Sequence, residues 1–186
     1  TGQSDEGVAS CRYAWDARRD SMNKWLTEAE AAVKDYKAKR KRGDYPAFPS
    51  TGLCQRAARC LYEVVTGRKQ PWARGSATDS RIAAVRQKRA IEARDGANAY
   101  HRAVGLGKLV PGACLYMGGN GAYGHVCVVV EVCGDPAKGV KCVKVFENTS
   151  SKRGGEGPGT IIVTLDKVLG SLGTGRILAV VPPGED

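Results

Sequence analysis

Histidine occurs only twice in this chain, aromatic residues make up 6%, and methionine and phenylalanine appear twice each. No apolar run approaches the roughly 20 residues that a membrane-crossing helix needs. Two histidines far apart in sequence make a zinc hydrolase centre improbable, and no metal or other cofactor is expected. None of the seven cysteines forms a CxxC pair, which speaks against a zinc ribbon or a thioredoxin-type redox motif. Sparse aromatics, not interleaved with the basic runs, weaken a reading in which bases of single-stranded nucleic acid stack on the protein. There is no internal repeat, no recognisable signal peptide and no linker that clearly divides two domains. The first residue is Thr1, so the expectation is a processed product or a piece of a longer polypeptide.

What is present is a basic, globular composition. The 186 residues carry a net charge of +10, with 42% apolar and 26% charged residues. That length suits one well-buried core. The charge favours a polyanionic neighbour such as nucleic acid, a membrane surface or an anionic cell-wall polymer, without choosing among them. An odd cysteine count leaves room for a free thiol beside bridged ones; equally, all seven can be reduced.

Periodicity divides the chain into helices first and strands second. Met22, Trp25, Leu26, Ala29, Val33 and Tyr36 recur at helical spacing, with Asp20 or Ser21 as the cap and Gly43 as the stop after "KAKRKRG". The simplest role of that basic run is a solvated helix end that complements the dipole. "DYPAFPSTG" is a turn leading into a second helix, whose inner face is Ala57, Ala58, Leu61, Val64 and Val65 and which ends at Gly67. "ATDSRIAAVRQKRAIEARDG" reads as a third, exposed helix, and "ANAYHRAVG" as a short helical turn. "ACLYM", "GHVCVVVEVC", "GVKCVKVFEN", "GTIIVTL" and "GRILAVV" are strand-like runs between glycine-rich turns. This order predicts an α+β fold with a mainly antiparallel sheet.

Nucleophilic cysteine chemistry needs a thiolate, a base to pair with it and a group that orients the base. Cys54 lies where the proline- and glycine-rich turn becomes helix, where unpaired N–H groups favour a thiolate. Cys60, nearly two turns further on, gains nothing from the dipole; it is expected, with Cys114 and Cys127, as a small buried apolar residue. His101 sits in a polar helical patch and is expected on the surface. His125 opens the strand "HVCVVVEV" straight after "GGNGAYG", an odd place for a polar ring. The next strand ends "VFENTSS", which offers Glu147 and Asn148 as the orienting group.

A hairpin with Cys133 opposite Cys142 would pair Glu131 with Lys144 and allow a disulfide across the hairpin. In that register Val126, Val128, Val130, Val132, Val143 and Val145 share one face. His125, Cys127, Val129, Phe146 and Asn148 share the other, so Asn148 is favoured over Glu147, and one bulge would reverse the choice.

The segments "GLCQRAARC", "WARGSA", "PGA" and "GGNGAYGHVCVVVEV", taken in order over about residues 48 to 182, resemble the CHAP and NlpC-type cell-wall hydrolases. These are papain-like cysteine amidases and endopeptidases acting on the peptide part of peptidoglycan. The resemblance implies a papain-like hydrolase domain over 48–186 behind a basic helical segment over 1–47, the two forming one compact unit. It carries the nucleophile role to Cys54, the base role to His125 and the third polar position to Glu147 or Asn148. It also implies bacterial peptidoglycan as the partner, with anionic wall polymers as a further one, and a secreted, periplasmic or virion-associated location. This chain departs from the pattern: its two polar residues are adjacent rather than separated by one, Ala113 follows "PG" where an acid is usual, and "DCSGF" is absent. The rival expectation is a basic, non-catalytic module on a degenerate hydrolase fold, binding wall polymer or nucleic acid. A second enzymatic rival is a papain-like protease or transglutaminase acting on proteins.

Overall fold

The computed structural model describes residues 6–42, 53–93, 98–119, 121–135, 138, 142–155, 157–172 and 176–184, with side chains from residue 24 onward except at 119–122. Along the chain these residues form α1 (Glu6–Arg42), α2 (Leu53–Thr66), α3 (Ala77–Arg86), β1 (Ile91–Glu92), α4 (Ala99–Gly105), β2 (Cys114–Gly119), β3 (Gly121–Cys133), β4 (Cys142–Thr149), β5 (Gly159–Thr164), α5 (Leu165–Leu172) and β6 (Ile177–Val181). The class is α+β, with N-terminal helices and a C-terminal antiparallel sheet of order β1-β6-β2-β3-β4-β5. Among the described residues no helix is long and apolar enough to cross a membrane.

Helices cover both faces of the sheet, because the central strands are apolar on both sides. Tyr116, Val126, Val128, Val130 and Phe146 pack under Trp25 of α1, Ala58 and Leu61 of α2, and Ala83 of α3. Leu115, Cys127, Val129 and Val145 pack against Ala103 of α4 and Val168 of α5. Two glycines admit α1 to this core. Gly112, at φ +93°, lies where a Cβ would meet the Trp25 ring at 2.5 Å, and at Gly159 a Cβ would meet the Tyr36 ring at 2.3 Å. The α1 end is then held by the Tyr36 hydroxyl and Arg40 Nη1, each donating to the Pro158 carbonyl at 3.1 Å.

Several expectations from the sequence are corrected. Helix α1 runs through Asp20 and Ser21, so neither caps its start. The third helix stops at Arg86, ten residues before Gly96: Lys88 turns to φ +57°, and Ile91 then pairs with Val180 as an edge strand. The run "LDKVLGSL" is a helix that buries Leu165 and Val168, an element the strand-based reading omitted. Val64 is exposed, and Gln55 and Tyr62 take its place on the buried face of α2. Cys60 is exposed, whereas Cys114 and Cys127 are buried as expected. The stop at Gly43 and the turn over 44–52 lie outside the described residues.

The hairpin register is decided by a bulge. Cys133 pairs with Cys142, the two joined as a disulfide, and Glu131 pairs with Lys144 in an ion pair of 3.0 Å. The register then shifts between Val129 and Glu131, so that Val129 faces Val145 and Val128 faces Phe146. One extra residue in β3 moves every later side chain of β4 to the other face relative to β3. The single valine face expected from alternation is therefore divided: Val126, Val128 and Val130 face α1–α3, and Val143 and Val145 face the opposite side.

Candidate active site

Cys54 lies in the first turn of α2, where backbone N–H groups have no partner within the helix. The residue after it anchors that turn. Gln55 is 1% exposed; its Nε2 donates to Gln70 Oε1 at 2.9 Å, and its Oε1 accepts from the Tyr116 hydroxyl at 2.8 Å. The same hydroxyl accepts from Trp72 Nε1 at 3.0 Å. This buried chain ties the head of α2 to the "QPW" turn and to β2, and so fixes where the Cys54 backbone sits. Buried amides with both ends satisfied hold one geometry, since any other arrangement strands a polar atom.

His125 enters from Gly124, whose φ of +63° and whose approach to Thr78 Oγ1, 2.9 Å from an added Cβ, leave no room for a side chain. The β3–β4 register ends at Val128–Phe146. Beyond it β3 continues on β2 through Val126–Tyr116 and His125–Met117, while β4 continues on β5 through Glu147–Ile161 and Asn148–Thr160. At this parting of the strands the Cys54 sulfur comes up beside the His125 ring and the backbone of Val126 and Gln55.

The bulge turns Glu147, not Asn148, toward the histidine. His125 Nε2 lies 2.5 Å from Glu147 Oε2, and both residues are buried. Asn148 points the other way, its Nδ2 donating to Thr160 Oγ1 at 3.4 Å. There it lines a groove of about 580 Å³ between α1, α2 and the sheet, together with Tyr36, Arg56, Cys60, Phe146 and Thr160. The expected preference for Asn148 as the orienting group is corrected to Glu147 on this geometry.

A fourth member was absent from the sequence reading. Arg153 is 6% exposed, and its Nη1 donates to Glu147 Oε1 at 2.6 Å and Oε2 at 2.5 Å, lying also 3.3 Å from His125 Nε2. The turn after β4 puts it there: Thr149 Oγ1 accepts from the Ser151 N–H at 3.1 Å, and the chain folds back within six residues of Glu147. In "SSKRGG" this arginine looks like any other surface cation, and nothing in the local pattern separates it from Lys152.

The electrostatics follow from these contacts. Burial pushes the Cys54 thiol up, but the hydrogen bond and charge of His125 and the two backbone N–H groups outweigh it, and its pKa falls below the ordinary 9.0. Burial pulls His125 down, but its contacts with Cys54 and Glu147 overcome this and raise it from 6.5 to about 9. The two shifts have opposite signs, and both favour the thiolate–imidazolium form of the pair over the neutral one. Cys114, by contrast, is pushed up to about 12 by burial. Cys127 is driven well above 9.0, first by burial. His101 is exposed on α4 and lies away from this cluster, its ring stacked edge-on with Tyr100 at 5.5 Å.

The chain matches no protein-family model, no curated protein and no solved structure.

Proposed function

We propose that the chain is a cysteine hydrolase that cleaves an amide bond in the peptide part of peptidoglycan, as an amidase or endopeptidase of the CHAP and NlpC type. The observation that carries the reading is the pairing of Cys54, at the head of α2, with His125, whose other side is held by Glu147 at 2.5 Å. The amide class is supported by that chemistry. The wall as substrate is supported by the ordered motifs around Cys54 and His125, and by a net charge of +10 that suits anionic polymers. The last turn of α1 adds exposed Lys39, Arg40, Lys41 and Arg42 to that surface.

In this mechanism the Cys54 thiolate adds to the scissile carbonyl carbon, and the carbonyl electron pair moves onto oxygen. The Cys54 backbone N–H, at the first turn of α2, is the oxyanion donor this arrangement offers. Collapse of the tetrahedral intermediate breaks the carbon–nitrogen bond as His125 gives its proton to the leaving amine, leaving a thioester and a neutral imidazole. Neutral His125 then takes a proton from water, hydroxide attacks the thioester, and a carboxylic acid and the original ion pair result. Glu147 holds the ring in one orientation through both steps.

The test is release of new amines from purified peptidoglycan by the wild-type chain and by Cys54→Ala, with the products identified by mass spectrometry of the muropeptides. Release by the wild type alone supports the proposal. Equal release by both removes Cys54 as nucleophile, and no release from any wall chemotype favours the non-catalytic binding module.

A further inference from the structure

In the ionised form that the proposed mechanism uses, four charged groups meet in the interior of this protein: the Cys54 thiolate on α2, the His125 imidazolium on β3, the Glu147 carboxylate on β4 and the Arg153 guanidinium in the turn that follows. They alternate in sign along the chain of contacts, and their charges sum to zero. His125, Glu147 and Arg153 are all at least nine-tenths buried, at 8%, 1% and 6% exposure. Arg153 also keeps a buried Nε with no hydrogen-bond partner among the described residues. A buried ion pair of this kind is a weak source of stability, because desolvation offsets most of the attraction. An arginine retained here with a stranded polar atom therefore points to a role in the chemistry.

We propose that Arg153 is a positioning residue that balances the charge of this site, keeping Cys54 ionised by acting through Glu147 and His125. The inference rests on the reading of Cys54 as nucleophile. Without the guanidinium, thiolate, imidazolium and carboxylate would leave one uncompensated negative charge in a dry setting. The cheapest correction is to take up a proton, and a thiol ordinarily holds its proton far more tightly than a carboxyl does. The proton therefore goes to sulfur, and the nucleophile is lost near neutral pH. Among the described residues, the other titratable groups coupled to this cluster, directly or through one another, are Cys127 on β3 and Cys114 and Tyr116 on β2. Burial drives the pKa of all three upward, so they stay neutral over the same range and offer no substitute cation.

The experiment follows alkylation of Cys54 by iodoacetamide against pH, read by mass spectrometry of the Cys54 peptide so that exposed Cys60 does not interfere. It needs no wall substrate, so it can fail or succeed independently of the assignment to peptidoglycan. In Arg153→Gln the acid limb of the profile moves up by about 1 pH unit or more, the size expected for loss of one nearby charge. Arg153→Lys keeps the limb near its wild-type position. The double variant Glu147→Gln/Arg153→Met removes one charge of each sign and brings the limb back to, or below, wild type. A folded Arg153→Gln whose acid limb stays in place or moves down overturns the proposal. Should that single variant not fold, the double variant decides: a limb above wild type rejects charge balance, and one at or below it supports the proposal.

Discussion

Glu147 Oε2 lies 2.5 Å from His125 Nε2, although strict alternation along β3 and β4 would have put the neighbouring Asn148 on that face. The contact exists because β3 carries one residue more than β4 between the Val129–Val145 and Glu131–Lys144 pairs. It makes a carboxylate, and not an amide, the partner of the histidine.

This difference predicts opposite outcomes for two adjacent substitutions. As a prediction, Glu147→Gln lowers the rate of peptidoglycan hydrolysis by about 10²-fold or more, the lower end of what a positioned acid–base system contributes. Asn148→Ala, whose side chain points away from His125 and donates to Thr160, leaves the rate within a few-fold of wild type. Kinetics of amine release on a common wall substrate check this, and the reverse ranking rejects Glu147 as the orienting group.

The thiols are predicted to divide into reactive and inert sets in the native protein. Cys54, whose thiol pKa is lowered by His125, and exposed Cys60 react with iodoacetamide at neutral pH; buried Cys114 and Cys127, both pushed upward, do not. Cys54 reacts faster than Cys60 below pH 8, and Cys54→Ser leaves the Cys60 rate unchanged. Peptide mapping after timed alkylation measures the order.

The pH dependence has a definite sign. His125 is raised from 6.5 to about 9 in the folded state, so its contribution to stability is complete below 6.5 and disappears as pH rises through about 9. Cys54 is lowered from 9.0, so its contribution is present above 9.0 and is lost as pH falls through its folded value. Hydrolysis is predicted to plateau between these limits and to decline as pH rises through about 9, where the imidazolium proton needed by the leaving amine is gone. Initial rates and melting temperatures across pH test both parts. A rate that keeps rising well past that point would exclude His125 as the proton donor.

Tyr116→Phe is predicted to destabilise the fold by about 1–3 kcal/mol, the cost of stranding buried polar atoms. The change strands Gln55 Oε1 and Trp72 Nε1–H, which the hydroxyl satisfies at 2.8 and 3.0 Å. Denaturant unfolding gives the number. Because Gln55 follows Cys54 directly, the same variant is expected to slow Cys54 alkylation as well.

Titration of the denatured chain without reductant tests the bridge in β3–β4. Of seven cysteines, Cys133 and Cys142 should stay unreactive until reductant is added; seven reactive thiols at the outset would exclude the disulfide. The bridge closes a short loop, with a separation of 9. Its removal by Cys133→Ser/Cys142→Ser is expected to cost about 2–3 kcal/mol.

Local chemistry made much of the fold legible. Apolar spacing located α2, Gly67 ended it at φ +68°, and β-branched runs between glycine turns located β2 through β6. Cys54 and His125 stood out as candidates as well, because a helix start and a polar ring at the head of an apolar strand are features of single segments. Cys133–Cys142 and Glu131–Lys144 followed from one hairpin and its alternation. All of these depend on residues close in sequence or on one simple pairing.

The rest depended on contacts that no local pattern encodes. A valine-rich strand such as β3 is apolar on both faces, so nothing in it marks where a bulge falls, and the bulge alone selects Glu147 over Asn148. Arg153 becomes part of the site only because the turn after β4 folds it back onto Glu147. Gln55 becomes an anchor only because Tyr116, |i−j| = 61, comes within 2.8 Å. The sequence by itself determined the class of fold and singled out Cys54 and His125 as the candidate nucleophile and base. Tertiary structure decided which carboxylate and which cation complete the site, because buried charges are matched across strands and turns, where register rather than residue type decides which groups meet.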